Sequence, residues 1–341
     1  MEHILQCKAI AKTQGGSVIN RDNAAFDATV TVCCTARLHL GFFDLEGGAG
    51  RRFGSFGLSL DQPATRLTAR HAEENRVSGP EKDRAAHYLA AMRGHLGLPG
   101  HYAIEIGQAM PSHAGLGSGT QLALAVAAAL RRLEGLPYDP RGDAQCLERG
   151  ARSGIGIGLF TRGGLVVDGG RGKRAEPPPL LARLEVPEAW RVLLVLDPGR
   201  AGFSGPQERS AFDALGPMDP AVSGAICRLV LMQALPALAE QDLAGFGSAI
   251  TAIQNHAGDY FAPSQGGRFT SPLVGDAMRV LAEAGATGIG QSSWGPTGFA
   301  FAANEPEANR LALNLQQRGM TKRLDLLVCR VLNQGATVTV A

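Results

Sequence analysis

One segment constrains this chain more than any other. Residues 110–130, MPSHAGLGSGTQLALAVAAAL, stop an apolar strand at a Pro, pass through a Gly-rich turn and begin a small-residue helix near Ser118. Gly115, Gly117 and Gly119 let the backbone turn tightly and bring its N–H groups close to a ligand, and the helix start adds the positive end of its dipole. Such a turn suits a phosphate; it also suits a plain Gly-rich cap on a buried Ala/Leu helix. It is neither of the two commonest phosphate loops. No Gly-Lys-Ser/Thr closes it, and Thr120 stands where a dinucleotide fingerprint needs its last Gly.

At 341 residues, 45% of them hydrophobic, the chain is long enough for one large domain or two ordinary ones. Its 33 basic and 31 acidic side chains leave a net charge of +2, so no global field points to nucleic acid or an anionic membrane, and any anion site must be local. Aromatics are not interleaved with basic stripes as a nucleic-acid platform requires. Cys7, Cys33, Cys34, Cys146, Cys227 and Cys329 lack CxxC spacing and read as reduced, mostly buried thiols. The longest apolar run, residues 122–130, is far shorter than the roughly 20 residues of a bilayer span, and no secretory apolar core opens the chain, which places the protein in the cytoplasm. There is no His-Glu-x-x-His, no Gly-x-Ser-x-Gly elbow and no Cys/His metal cluster.

Residues 1–25 show no sustained apolar period and are expected to form an extension or mobile arm. Residues 28–36, rich in β-branched side chains, predict a strand, followed by a loop over 37–52 and a second strand near 56–60. Apolar residues at Ala85, Tyr88, Leu89, Met92 and Leu96 predict an amphipathic helix over 82–96, and 102–110 alternates as a strand. The Gly-rich stretch 153–170 reads as hairpin-like β structure, and the triple Pro near 177–179 marks a domain boundary. The second half interleaves helices over 221–239, 243–255, 273–284 and 306–318 with strands near 192–196, 287–290, 298–302 and 324–328. The sum is an α+β protein of two fused subdomains, 26–180 and 181–341.

Chemistry concentrates in residues 37–52, where Arg37, His39, Asp44, Arg51 and Arg52 surround one flexible loop. Guanidinium forks match phosphate and carboxylate oxygens in bidentate fashion, so the group fits a polyanion, with Asp44 on a metal or a cation. A third Gly-rich segment presents Gln291, Ser292, Ser293, Trp294 and Gly295; the Trp294 indole suits an aromatic or ribose ring, or a gap in the core. Gln254 leads a polar-aromatic patch with His256, Tyr260, Phe261 and Gln265, either pocket wall or helix cap. Residues 199–205 with Glu208 and Arg209 read as an ordinary surface turn.

PSHAGLGSGTQ resembles the Pro-x-x-x-Gly-Leu-Gly-Ser-Ser motif of the galactokinase, homoserine kinase, mevalonate kinase and phosphomevalonate kinase (GHMP) superfamily. RLHLGFFDL, RRFGSFGLSLD, RSGIGIGLFTRGGLVVDGG and GQSSWGPTGFAF, in that order across about residues 30–330, resemble the β-ribofuranosylaminobenzene 5′-phosphate synthase family of methanopterin biosynthesis. The resemblance implies a GHMP-like fold, with an N-terminal domain like domain 2 of ribosomal protein S5 and ferredoxin-like α/β layers after it. It implies condensation of phosphoribosyl pyrophosphate with 4-aminobenzoate or a 4-hydroxy analogue, with Mg²⁺ but neither ATP nor pyridoxal phosphate. It also implies small-molecule partners; the charge balance argues against nucleic acid and membrane, and an enzyme of this size is expected to form a homodimer. The implied phosphate contacts are Pro111, Gly115, Leu116, Gly117, Ser118, Gly119, Thr120 and Arg162, beside Gln254, Arg52 and residues 291–295; Asp44, Arg51, Arg37 and His39 are the implied catalytic groups, Asp44 also for Mg²⁺. Gly119 departs from the superfamily's small hydroxyl residue and removes a kinase-type metal contact there. Two readings stand beside this one, an ATP-dependent small-molecule kinase and a non-catalytic protein that binds a phosphorylated metabolite.

Overall fold

A computed structural model describes residues 28–341 apart from 175 and 204; the expected arm over 1–25, and Cys7, lie outside the described residues. In β1 (Val30–Phe42), Val30, Val32, Cys34 and Ala36 alternate into the core, and from Leu38 onward every residue is buried. The change marks where the strand leaves a one-sided sheet and enters a space covered on both faces. Arg37 and His39, expected on a loop, therefore stand on a strand. The continued apolar series Leu38, Leu40 and Phe42 keeps β1 paired to β2 (Ser55–Ala72), with register shifts at Thr35/Arg37 and His39/Gly41.

β2 is long enough to pair with two different strands along its far edge. Its second half meets β4 (His101–Gln108), which follows β3 (Arg76–Ser78) and α1 (Lys82–Leu96); its first four residues meet β5 (Leu165–Asp168). Between β4 and β5 come α2 (Ser118–Leu133), α3 (Pro140–Cys146) and α4 (Ile155–Arg162), and β6 (Leu180–Leu184) pairs with β5. α2 is buried on every side from Gln121 to Arg131, and its Ala-rich surface admits close neighbours. Residues 153–170 hold helix α4, not a hairpin. Gly156 and Gly158 serve packing: a Cβ would stand 3.1 Å from Thr120 Cγ2 at the first and 2.8 Å from Leu180 Cδ1 at the second.

The second half supplies β7 (Arg191–Leu196), α5 (Gly205–Leu215), α6 (Pro220–Leu229), a π-helical turn at Val230–Ala234, α7 (Leu235–Ala239) and α8 (Leu243–Gln265). After them come α9 (Pro272–Glu283), β8 (Thr287–Gln291), β9 (Thr297–Ala302), α10 (Glu305–Gln317), β10 (Asp325–Arg330) and β11 (Thr337–Val340). The four-stranded sheet has the order β10-β7-β9-β8. Val195, Ala300 and Leu193 pack with Leu311 and Met278 on one face, while Val192, Leu194, Phe299 and Phe301 join the main core with Phe246 and Ile250 of α8. α8 thus lies between the second sheet and β1. The segment Pro220–Ala239 is long and apolar enough to cross a bilayer, but all three of its helical pieces pack along α8, and Ser223, Ile226, Val230, Ala234 and Leu238 are buried. The boundary near residue 180 is not a clean cut, because β11 returns to pair with β1 and closes the first sheet with the end of the chain.

Candidate active site

The turn between β4 and α2 forms the floor of a cavity of about 1020 Å³. Gly115 and Gly117 take φ of 79° and 77°, and α2 starts at Gly117 with no side-chain cap, so its first turn is left open toward the cavity. Each glycine has a separate reason. At Gly115 a Cβ would stand 2.2 Å from the carbonyl oxygen of Ser292, where the loop is clamped against the second subdomain. At Gly117 it would meet Arg37 Nε at 2.8 Å, and at Gly119 it would meet Arg84 Nη2 at 2.8 Å. The last two glycines make room for guanidinium groups over the loop.

Seven arginines line the cavity, Arg37, Arg52, Arg84, Arg149, Arg152, Arg171 and Arg209, against the three carboxylates Glu148, Glu208 and Asp213. That excess is the local anion field which the near-neutral whole chain conceals. Arg84, from α1, reaches Glu81 Oε2 at 2.6 Å and Ser112 Oγ at 2.8 Å. Arg149 donates to the Tyr88 hydroxyl at 2.6 Å, and Arg152 pairs with Glu208 of α5 at 2.5 Å. The backbone N–H of Arg37 donates to Leu116 at 2.9 Å, and burial lowers its guanidinium pKa to about 10, with Glu208 opposing the shift and Arg152 adding to it. Arg37 stays charged at neutral pH.

Phe42, Phe53, Phe203, Phe212 and Trp294 form an apolar wall of the same cavity. Phe212 meets Phe53 and Trp294 edge-on, both at 5.3 Å between ring centroids, and the His39 ring lies 4.4 Å from Phe42. The His39 backbone N–H donates to Ser292 Oγ at 3.0 Å, and that hydroxyl donates to Gly115 O at 2.8 Å, so one serine ties β1, the phosphate-type turn and the 291–295 loop together. Burial first, then Arg37, holds the His39 imidazole well below its ordinary pKa, in the neutral form. Among the described residues, His39 Nε2, Arg149 Nε, Arg152 Nη1 and Trp294 Nε1 are buried with no hydrogen-bond partner. All four residues line this cavity, while Ser223 Oγ, Thr297 Oγ1 and Asn314 Oδ1 are orphaned elsewhere among the described residues; the grouping of four at one wall suits polar groups of a ligand.

The structure brings together Arg37, His39, Arg52, Gly115, Gly117, Ser118, Gly119, Thr120, Ser293, Trp294 and Gly295. It leaves others away from the cavity lining. Asp44 Oδ1 accepts from the N–H groups of Glu46 and Gly47 at 2.7 and 3.0 Å, which makes it the cap of its own loop. Arg51 donates to the carbonyls of Gly169 and Gly170 at 2.5 and 2.7 Å, next to Arg171, which bridges backbone to backbone with Arg52. Both thus hold the ribbon that presents Arg52 and Arg171. Pro111 and Arg162 are exposed, and Leu116 is buried beneath the turn. Gln254 donates to Leu40 O and accepts from Gln291 N; Gln291 in turn accepts from Thr270 N, so the two amides brace the loop from behind. Tyr260 donates to Gly216 O and stands beside Arg52 without itself lining the cavity. Glu208 and Arg209, read as part of a surface turn, sit on α5 and face the cavity with Phe212 and Asp213. Arg84, His87, Tyr88 and Ala91 were legible in principle: spaced i, i+3, i+4, i+7, they form a second stripe on α1 beside its apolar one. Arg149, Arg152 and Arg171 carry no local signal and arrive through tertiary packing.

For a metal, no group of three or more His, Cys, Asp or Glu side chains is gathered among the described residues. The carboxylates at hand in the cavity are Glu148, Glu208 and Asp213.

Residues 82–164 match the N-terminal domain of GHMP kinases and residues 234–320 the C-terminal domain. The chain is 33% identical over 321 residues to a β-ribofuranosylphenol 5′-phosphate synthase of Archaeoglobus fulgidus, a match covering 89% of this chain and 98% of the relative. It is 30% identical to the enzyme of the same name from Methanothermobacter thermautotrophicus, covering 80% and 88%. Among solved structures, homoserine kinase from Cytophaga hutchinsonii superposes with a TM-score of 0.66 at 17% identity, covering 96% of this chain and all (100%) of that one. Mevalonate diphosphate decarboxylase from Staphylococcus aureus gives 0.62 at 13%, covering 91% and 98%. At such identities these two likenesses show the fold alone.

Proposed function

Because the chain belongs to the β-ribofuranosylphenol 5′-phosphate synthase family, built on the GHMP kinase fold, we propose that it condenses phosphoribosyl pyrophosphate with a para-substituted benzoate and releases pyrophosphate and carbon dioxide. The relatives' name makes their product a phenol. A decarboxylating condensation yields a phenol from 4-hydroxybenzoate, so we place that acceptor first and 4-aminobenzoate second. The observation that carries the reading is that an arginine-rich wall over a Gly-rich turn and an aromatic wall share one cavity. A polyanionic sugar donor and a flat ring are what these two walls suit.

The donor's pyrophosphate would rest on the turn at Gly115–Thr120 under Arg37, Arg84 and Arg149. As the bond from the ribose C1′ to pyrophosphate lengthens, negative charge gathers on the leaving oxygens, and guanidinium groups already in place stabilise it without reorganisation. Positive charge grows at C1′, with the oxocarbenium character known from glycoside cleavage. The ring carbon bearing the carboxylate attacks C1′, and loss of carbon dioxide restores aromaticity. Phe42, Phe53 and Phe212 would hold the ring in place and keep out the water that would hydrolyse the donor.

Magnesium fits as part of the substrate. A hard cation on the donor's pyrophosphate needs only one or two carboxylates from the protein, and Glu148, Glu208 and Asp213 are near. Asp44 is less suited to that cation, because it lies outside the cavity lining and its Oδ1 is taken by its own loop. The kinase alternative loses support at Gly119, where Arg84 takes up the space a side chain would need.

The test is trapped labelled carbon dioxide from carboxyl-labelled 4-hydroxybenzoate and 4-aminobenzoate, with phosphoribosyl pyrophosphate and Mg²⁺. Release that needs the donor and is indifferent to ATP supports the reading. No release with either acceptor, from protein shown to be folded, overturns it.

A further inference from the structure

At the aromatic wall, His39 is an imidazole with no hydrogen-bond partner for Nε2, 2% exposed, beside Phe42 and under the 291–295 loop. The ring is almost fully buried against Phe42, which leaves it little room to turn toward another partner. A buried, unpaired nitrogen in a cavity wall is costly unless the ligand completes it. A neutral imidazole offers one lone pair, and the reading above brings a ring that carries an O–H or N–H group.

We infer that His39 reads the substituent opposite the departing carboxylate: Nε2 accepts the hydrogen bond of the acceptor's 4-hydroxyl or 4-amino group. The inference rests on the reading of the acceptor as a para-substituted benzoate. In the 4-hydroxy case, the ring carbon bearing the carboxylate forms its bond to C1′ and the C1′–O bond breaks, its electron pair leaving with pyrophosphate. The hydroxyl proton passes to Nε2, and the ring becomes a neutral dienone instead of a cation. The bond to the carboxylate carbon then breaks, carbon dioxide leaves, its electron pair rebuilds the ring, and the imidazolium returns the proton to the oxygen. His39 is then a catalytic residue that also sets specificity. A site built to accept a donor hydrogen rejects analogues that lack one.

The experiment compares 4-hydroxybenzoate with benzoate by calorimetry, in the presence of inorganic pyrophosphate. Wild-type protein should prefer 4-hydroxybenzoate, and His39→Phe should bind it at least about tenfold more weakly while binding benzoate within about twofold of wild type. Equal losses for both ligands, no loss for either, or a wild type without preference overturns the inference. His39→Gln keeps an acceptor oxygen but cannot relay a proton, so it should bind 4-hydroxybenzoate within about threefold of wild type and release labelled carbon dioxide at least about thirtyfold more slowly; full turnover in this variant overturns the proton role. The binding comparison needs no catalysis, so it judges His39 separately from the reaction, which wild-type carbon dioxide release judges.

Discussion

The two walls of the cavity are built by different means. The cationic wall draws on the first subdomain for all its arginines but Arg209 of α5: Arg84 from α1, Arg37 from β1 and Arg149 from the loop after α3 converge over Gly117 and Gly119. The Arg84 guanidinium is steered by Glu81 and Ser112 and that of Arg149 by the Tyr88 hydroxyl, while Arg37 is fixed through its backbone N–H on Leu116. The aromatic wall spans both subdomains, with Phe42 and Phe53 from the first and Phe212 and Trp294 from the second, and its order comes from ring packing. Directional charged groups suit a ligand whose charge changes during reaction, and a shaped apolar slot suits a ring that must be held and kept dry. Across the two subdomains, Arg152 pairs with Glu208 at the cavity.

The sharpest way to break this division is to remove a guanidinium. Arg84→Gln or Arg149→Gln should lower kcat/KM for the sugar donor by about 10²–10³, as expected for groups that stabilise developing charge, with the acceptor's KM little changed. Steady-state kinetics in both substrates checks it. Next comes a contrast within the turn itself. Gly115→Ala, at positive φ and facing a backbone oxygen, should cost about 2 kcal/mol or more of stability by chemical denaturation. Gly119→Ser displaces only the end of Arg84, so it should leave stability within about 1 kcal/mol and reduce turnover about tenfold. Arg51→Ala, acting through Arg52 and Arg171, should slow turnover about threefold to tenfold without altering the pH profile.

A smaller effect belongs to His39. Its native imidazole resists protonation while the unfolded chain takes up a proton below about pH 6.5. The unfolded state then binds more protons, so stability falls as the pH drops from about 6.5 toward the lower native value, by at most about 1.4 kcal/mol per pH unit. Denaturation midpoints between pH 7.5 and 5.5 should show this slope in wild type and lose it in His39→Phe.

Much of this is legible in the sequence alone. The apolar spacing of Ala85, Leu89 and Met92 marks α1 to its ends, and the Pro-to-Gly turn before Ser118 marks both the start of α2 and the floor of the cavity. Glycine was ambiguous where its purpose was packing: Gly156 and Gly158 suggested turns, but they let α4 lie against Thr120 and Leu180. Charge was ambiguous in direction. Asp44, Arg51 and Arg52 are close in sequence, yet only Arg52 faces the cavity, because the other two are used up on nearby backbone groups. Glu208 reads as part of a surface turn and Phe212 carries no signal, because α5 gains its meaning from a partner, Arg152, more than fifty residues earlier in the chain.

The measurement that bears most directly on the two-wall account is a crossed calorimetric titration of Arg149→Gln and Phe212→Leu with inorganic pyrophosphate and with 4-hydroxybenzoate. Arg149→Gln should weaken pyrophosphate by about tenfold or more and leave 4-hydroxybenzoate within about twofold, and Phe212→Leu should do the reverse. Both variants weakening both ligands alike, or each weakening the ligand assigned to the other wall, would contradict it.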